Sequence, residues 1–314
     1  MRRSTKRKLV KIVIALAVLL VALTITGNAP EPLKNLIDKF VPKATETKII
    51  ETVSESNTLA ILQQAYKEYI GSEKASQAET ESAIALDGLE IPKGGTPIQY
   101  NGYTLSYNTK YKQANWVAYT LDIDELNTKN TGRTDDFRED PKVVGAHLED
   151  YKNSGYDRGH LCPSADRTSS VELCSETYLL SNISPQEHKF NSGLWLDAEN
   201  AVRDAARMYK KIFIATGPIF TENMQTIGSC CEIAVPEFFY KVILAFDNSG
   251  EAHAIGLICP VKYKRQYLYL YASSVDEIEE LTGLDFFYNL DDSVEAVAEA
   301  SYNFADWPKS FSQQ

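Results

Sequence analysis

Positive charge is what this sequence has too little of. Against 43 Asp and Glu it sets 32 Lys and Arg, a net charge of −11. Six of those basic residues (Arg2, Arg3, Lys6, Arg7, Lys8 and Lys11) crowd into the first eleven positions, and no acidic residue precedes residue 30. From residue 30 on, 26 basic residues face 43 acidic ones, a net of −17. Such a body repels a polyanion at long range, which excludes a binder that works through a broad basic face. Any contact with phosphate has to come from a local basic patch and a metal ion. Cysteine is sparse as well. The five present (Cys162, Cys174, Cys230, Cys231 and Cys259) form no CxxC pair and no Cys/His spacing of a zinc site. Their odd number leaves at least one thiol unpaired or paired between chains. Histidine is limited to four residues, and no long internal repeat is visible.

Long apolar runs are also scarce, with one exception. Ile12 to Ile25 is almost wholly apolar and directly follows the basic cluster, the pattern of an export signal. At 14 residues it is shorter than the roughly 20 that a spanning helix needs. Gly27-Asn28-Ala29 offers a weak small-x-small cleavage site, so residues 1–29 read as either a cleaved signal peptide or a membrane anchor. No cysteine follows that would carry a lipid. The expected location is outside the cytoplasm: periplasmic, secreted, or anchored and facing outward.

Residues 30–88 read as a linker. Pro30, Pro32 and Pro42 lie among Thr, Ser and Glu over residues 30–56. Leu59, Leu62, Ala65, Tyr66, Tyr69 and Ile70 then recur at helical spacing, which predicts a short amphipathic helix over 57–70 that packs on the body or on a partner chain. A homodimer is therefore left open. The globular domain is expected over residues 89–314. There, 44% apolar and 24% charged residues in the whole chain suit an ordinary core. Tyr103–Tyr107, Trp116–Leu121 and Ile212–Thr216 read as strands, the last ending at Gly217-Pro218. Phe238–Phe246 and Ala252–Cys259 flank Asp247-Asn248-Ser249-Gly250 as a hairpin. Leu194, Ala198, Val202, Ala205 and Met208 mark a helix after Asn191, and Ser273-Ser274 precede a short helix ending near Gly283. The alternating aromatics of Tyr263–Tyr271 read as sheet packing. Hairpins and helices without regular βαβ alternation indicate an α+β fold.

The chemistry is concentrated in Tyr156-Asp157-Arg158-Gly159-His160-Leu161-Cys162-Pro163. A general base needs an imidazole with a suitable pKa and a fixed ring. A nearby carboxylate can orient that ring, and an arginine can neutralise phosphate. Taken alone, the four residues Asp157 to His160 describe a mixed-charge surface turn equally well. A second segment narrows the choice. Asn182-Ile183-Ser184-Pro185-Gln186 is followed by Asn191-Ser192-Gly193-Leu194-Trp195, with Glu199 eight residues past Asn191. Asparagine carbonyls and carboxylates are hard oxygen donors that suit magnesium, which takes few protein ligands and keeps several waters. Eight residues of regular helix span about 12 Å, so Asn191 and Glu199 cannot both be direct ligands. Asn191 is expected at the helix entrance as the ligand, with Glu199 acting through metal-bound waters. A helix cap and a solvated helix face are the plain alternatives for the two. His147, His188 and His253 lack such neighbours, although His188 lies between the two asparagines and is placed to line the site.

These residues resemble the DNA/RNA non-specific endonuclease family, which includes mitochondrial endonuclease G and the secreted bacterial sugar-non-specific nucleases. The resemblance runs roughly from Gly102 to Phe287. It is carried by Tyr103–Tyr107, Asn115–Tyr119, Asp136-Phe137-Arg138-Glu139-Asp140, Asp157–His160, Asn182–Glu199, Val235-Pro236, Phe239-Tyr240-Lys241 and Leu281–Phe287. It implies a ββα-metal (His-Me finger) core on a mixed, mainly antiparallel sheet with flanking helices. It also implies a Mg2+-dependent endonuclease, with Mn2+ as an alternative ion, that hydrolyses DNA and RNA without regard for sequence. His160 matches the general base, Arg158 the arginine beside it, Asn191 the magnesium ligand and Glu199 the acidic residue tied to the metal's waters. Asp157 and Asn182 match supporting positions. An upstream arginine that steadies the transition state has two counterparts here, Arg138 and Arg133. No core motif position is altered. Two other readings stand beside this one: an exported phosphodiesterase acting on small nucleotides, favoured by the acidic surface, and a non-catalytic, membrane-tethered binding protein.

Overall fold

The structure, a computed structural model, describes residues 88–128, 130–229, 231–263 and 267–312. The expected signal or anchor segment, the linker and the helix over 57–70 lie outside the described residues.

Seven strands form one antiparallel sheet: β1 (Pro97–Gln99), β2 (Thr104–Asn108), β3 (Gln113–Asp122), β6 (Lys211–Ile219), β9 (Phe238–Phe246), β10 (Ala252–Pro260) and β11 (Ala272–Ser273), in the order 1-2-3-6-9-10-11. Two small ladders stand apart from it, β4 (Asp157–His160) with β5 (Ile183–Gln186) and β7 (Thr226–Ile227) with β8 (Ile233–Ala234). Among the described residues, three helices of eight or more residues flank the sheet: α1 (Leu196–Tyr209), α2 (Val275–Thr282) and α3 (Asp292–Ala300).

Alternation along the strands splits the core between two faces. Successive side chains of a strand point to opposite sides. In β6, Ile212 and Ile214 join the apolar cluster around α1, while Phe213 and Ala215 join a second cluster beneath α2 and α3. β9 divides the same way, with Phe239, Ile243 and Ala245 toward α1 and Tyr240, Val242 and Leu244 away from it. Helix α1 lays Ala198, Ala201, Val202, Ala205 and Ala206 on the first face, all fully buried. Its inward stripe is mostly alanine, so the helix approaches the sheet closely. The large side chains come from the strands, each buried Ile or Phe contributing roughly 1.5–3 kcal/mol. The result is a three-layer arrangement, α1 on one side of the sheet and α2 with α3 on the other, in keeping with the α+β class.

Local chemistry explains the element ends. Ser274 caps α2 in a reciprocal capping box with Glu277, and Gly283 ends it at a φ of +70°. The β9–β10 turn is pinned by Asp247, whose carboxylate accepts from the backbone of Ser249 and Glu251, with Gly250 at a φ of +82°. β6 continues through Gly217-Pro218 to Ile219 instead of stopping there, because Pro218 pairs with Phe239 on a strand that still needs a neighbour. The segment around Leu268–Tyr271 is a 3-10 turn and not a strand; only Ala272–Ser273 joins β10. Its aromatics pack as a turn over the sheet edge. Cys162, Cys174, Cys231 and Cys259 are free thiols, the first two and the last buried.

Gly217 occupies the middle of the sheet, where a Cβ would lie 2.5 Å from the Asn115 carbonyl oxygen and 3.0 Å from the Tyr240 hydroxyl. Neither the strand backbone nor the buried tyrosine can yield cheaply. Gly217→Ala should therefore destabilise the domain by about 1–3 kcal/mol. Urea denaturation of the purified domain reads this directly, and an unchanged midpoint would contradict the packing described.

Candidate active site

Strand β4 consists of Asp157, Arg158, Gly159 and His160 and nothing else. It is an unusually constrained strand. A Cβ on Gly159 would collide with the Oε1 and Cδ of Gln186, which is fully buried on β5, so only glycine fits between the arginine and the histidine. Beyond His160 the chain is held by Asn182, itself fully buried. Its Oδ1 accepts from the Cys162 amide at 2.9 Å, and its Nδ2 donates to the carbonyls of Cys162 at 2.9 Å and Thr177 at 2.8 Å. With all these bonds made inside the protein, Asn182 positions the strand end and does not reach substrate. A third restraint is the indole of Trp195, which donates from Nε1 to the His160 carbonyl at 3.0 Å.

The His160 imidazole packs between aromatic rings. Tyr178 meets it edge-on with centroids 4.7 Å apart, and Phe137 lies at 5.5 Å. Two guanidinium groups sit above those rings, Arg158 at 4.0 Å from Phe137 and Arg133 at 5.9 Å from Tyr178. The ring's Nε2 is buried with no hydrogen-bond partner. Burial pushes the imidazole pKa down to about 3, and the charges of Arg133 and Arg158 press the same way, against the opposing pull of Asp135. His160 is therefore held in its neutral form near neutral pH.

Asp157 does not orient that ring, contrary to the expectation for a carboxylate in this motif. Its Oδ2 instead accepts from Asn191 Nδ2 and lies against His188 Nδ1, both at 2.9 Å. The reason is strand geometry: residues 157 and 160 stand three apart and leave opposite faces of β4. His188 is exposed and serves as the second partner of Asp157.

Asn191 follows the short turn His188–Phe190 and precedes a break at Gly193, where φ is −118° and ψ is −108°. It is thus set one broken turn ahead of α1, and not at its cap. Because its Nδ2 is held by Asp157, its carbonyl Oδ1 is the atom left for a cation. Glu199 lies in the first turn of α1, half-buried, and makes no hydrogen bond among the described residues. Burial raises its pKa to about 7, although Lys241 and Arg203 nearby pull it down. One hard carbonyl oxygen with an outer carboxylate suits magnesium, which needs few protein ligands. Among the described residues, the two tight groups of His and carboxylates (Asp247, Glu251, His253 and Asp276, Glu279, Glu299) lie elsewhere.

The two upstream arginines separate clearly. Arg133 is exposed and stands close enough to lower the His160 pKa and to favour ionised Glu199. Its guanidinium is paired at 2.9 Å only with exposed Asp135. Arg138 is turned away: its Nη1 donates to the Ser175 carbonyl at 2.8 Å and to Asp136 at 2.9 Å. Of the two upstream arginines, Arg133 is thus the one whose charge acts on His160, while Arg138 is held by Ser175 and Asp136. The parallel bridge of Arg138 to Leu179 fixes its backbone in a way that spacing alone does not reveal. Phe137, Tyr178, Trp195 and Lys241 are site-forming residues that the sequence did not single out for a role. Apolar and buried side chains carry no signal of what they will touch.

With the geometry in place, comparison with other proteins decides the family. Residues 80–293 match the family model described as "DNA/RNA non-specific endonuclease". The chain belongs to that family. It is a nuclease by kinship, in a family whose members are metal-dependent and hydrolyse phosphodiester bonds. It is 33% identical over 232 residues to the mitochondrial nuclease EXOG of Danio rerio, covering 67% of each chain. It is 31% identical over 235 residues to a nuclease of Nostoc sp., covering 68% of this chain and 84% of that one. Human mitochondrial endonuclease G matches at 29% over 220 residues, 64% of this chain and 74% of its own. Among solved structures, that of the EndoG/EndoGI complex superposes with a TM-score of 0.59 at 26% identity, over 65% of this chain and 90% of that chain.

The buried imidazole of this nuclease has a consequence for stability. An unfolded histidine titrates near 6.5, the folded His160 near 3. Between those values the unfolded chain binds the extra proton, so falling pH draws the protein toward unfolding. His160→Gln has no such group. In metal-free buffer the wild type should lose more stability than the variant as pH falls from about 6.5 to about 4. Parallel pH profiles of the two unfolding midpoints would count against a neutral, desolvated His160.

Proposed function

We propose that this nuclease is a magnesium-dependent, sequence-non-specific endonuclease of DNA and RNA, with His160 as its general base and Asn191 as the direct ligand of the ion. One observation carries the reading. A neutral imidazole with its Nε2 sealed inside the protein stands in one small region with two exposed guanidinium groups and an asparagine whose amide is already held by Asp157. When bound, a magnesium ion would supply positive charge for the phosphate and the departing oxygen.

The chain's own residues account for the rest. Nδ1 is the nitrogen of His160 that remains to take a proton from the attacking water, since Nε2 is enclosed. Arg133 and Arg158 neutralise the non-bridging phosphate oxygens. Their effect on the base is coupled to the substrate. Alone they press the imidazole pKa downward, and a phosphate that pairs with them removes that pressure. The base thus strengthens when substrate arrives. Asp157 fixes the amide of Asn191 and so the direction of its carbonyl, Asn182 and Trp195 fix the strand end, and Glu199 stands as an outer carboxylate. All these groups address the backbone of a nucleic acid and none reads a base, which suits cleavage without sequence preference. Arg133, Arg158 and His188 lie on open surface, as a polymeric substrate requires. The basic cluster and apolar run of residues 1–29 support export as part of the same reading.

The deciding experiment is nicking of supercoiled plasmid by residues 57–314 with magnesium, with EDTA, and beside a small diester such as bis-p-nitrophenyl phosphate. Cleavage of plasmid that EDTA abolishes is expected. Turnover of the small diester alone would support the phosphodiesterase reading instead, and no turnover of either would support a binding protein. Within that assay His160→Ala should lower the rate by at least about 100-fold, the usual weight of a general base. Asn191→Ala should lower the rate and also raise the magnesium midpoint; an unmoved midpoint would make Asn191 a structural residue only. Arg133→Ala should cost on the order of 100-fold, as the loss of one preorganised transition-state donor does. Arg138→Ala should cost far less. The reverse ranking would restore Arg138 to the site.

A further inference from the structure

Lys241 is fully buried in β9. It lies on the α1 face of the sheet, between Phe239 and Ile243, in a row that is otherwise apolar. A lysine there is costly, because an ammonium removed from water must be matched by other interactions. Its recorded contacts are few. Nζ lies 4.0 Å from the centroid of the Trp195 ring and 3.3 Å from the Thr216 hydroxyl. The carboxylates facing it are Glu199 and Asp166, with the thiols of Cys259 and Cys162 beyond. Asp166 is already satisfied: Oδ1 accepts from Arg203 at 2.7 Å and Oδ2 from Tyr119 at 3.1 Å. Glu199 has no hydrogen bond among the described residues, and Lys241 is the largest of the three positive charges, with Arg203 and Arg133, that favour its ionised form.

The ammonium also sits beneath Trp195, which together with the Asp157–Asn191 bond joins the two halves of the site. Trp195 donates to the His160 carbonyl, packs at a tilt against Phe190 and Phe239, and lies between the Asn191 turn and the first turn of α1. A cation over the face of an indole is attracted by the ring and holds it in place, more strongly when both are dry.

We propose that Lys241 is a positioning residue of the metal site: the fixed positive charge beneath Trp195 that holds the Glu199 carboxylate facing the cation and keeps the Asn191 turn docked on the His160 strand. This rests on the reading of Asn191 and Glu199 as the metal's direct and outer groups. Lys241 itself touches neither substrate nor metal.

The test is a double-variant cycle on Lys241→Met and Glu199→Gln, with Mn2+ binding to the full chain, without nucleic acid, followed by the electron paramagnetic resonance of the free ion. Each single variant should weaken Mn2+ binding by about tenfold, the size of a lost outer-shell partner. The double variant should bind little worse than either, because the two act as one unit. Trp195 fluorescence of Lys241→Met should shift without any metal, as the cation over the ring is gone. Native-like Mn2+ binding by Lys241→Met, or losses that multiply in the double variant, would overturn the proposal. If Glu199→Gln alone leaves binding unchanged, the reading of Glu199 fails and Lys241 falls with it. If Glu199→Gln weakens binding and Lys241→Met does not, only Lys241 is refuted. A native chain that takes up no Mn2+ sinks the metal reading and this inference together. Should Lys241→Met not fold, the double variant should, since it removes the Glu199 charge together with the ammonium that faces it. A double variant that stays unfolded refutes the pairing.

Discussion

The indole of Trp195 donates a single hydrogen bond to the carbonyl of His160, and the site is built around it. On one side of that bond is a four-residue strand packed so tightly against β5 that it admits no side chain at Gly159. On the other is a broken turn that carries Asn191 and leads into α1. Neither element belongs to the large sheet, and each is too short to hold its own place. A strand of this length or a single helical turn is unstable alone and takes its order from tertiary packing. The sheet provides it through Phe239 and Lys241, which press on Trp195 from below, and the turn before β5 adds Asn182, which ties down Cys162 two residues after His160.

This arrangement reconciles an acidic protein with a polyanionic substrate. The body carries a net charge of −17 from residue 30 on, yet Arg133 and Arg158 are close enough to His160 to depress its pKa. Positive charge is local and aimed, where a basic nuclease would spread it. Attraction at long range is weak in such a molecule, and what holds the backbone has to be a handful of contacts at the point of chemistry. On the proposed function, the same two arginines would receive phosphate and restrain the base, so the free enzyme and the loaded enzyme would differ in how strongly His160 seeks a proton.

Much of this was legible in the sequence wherever the signal is local. The capping Ser274 and closing Gly283 of α2, the Asp247–Gly250 turn and the period of α1 each follow from residues a few positions apart. The motif of β4, with Asn191 and Glu199 downstream, was visible as residue types at a spacing. Long-range choices were not. Arg133 and Arg138 are equivalent on paper, and the difference lies in Ser175 and Leu179, some forty residues away. Asp157 looks like the partner of His160 because it is near in sequence, but an extended strand turns the two apart. Tyr263–Tyr271 alternates like a strand, yet its Leu268–Tyr271 part folds as a 3-10 turn, since β10 already has its neighbours in β9 and β11. A lysine inside a strand reads as a surface residue until the helix that covers it is known.

The ends of the sheet carry a consequence for how copies of the molecule can meet. Its outermost strands, β1 and β11, are three and two residues long, and β1 opens with Pro97, which has no amide hydrogen to give. Short edges and proline are how natural sheets discourage a neighbour from adding a strand. An intermolecular ladder, whether in a dimer or in an aggregate, would have little backbone to hold. Among the described residues, the ends of this sheet leave side chains, and not shared strands, as the means by which two copies of it can meet.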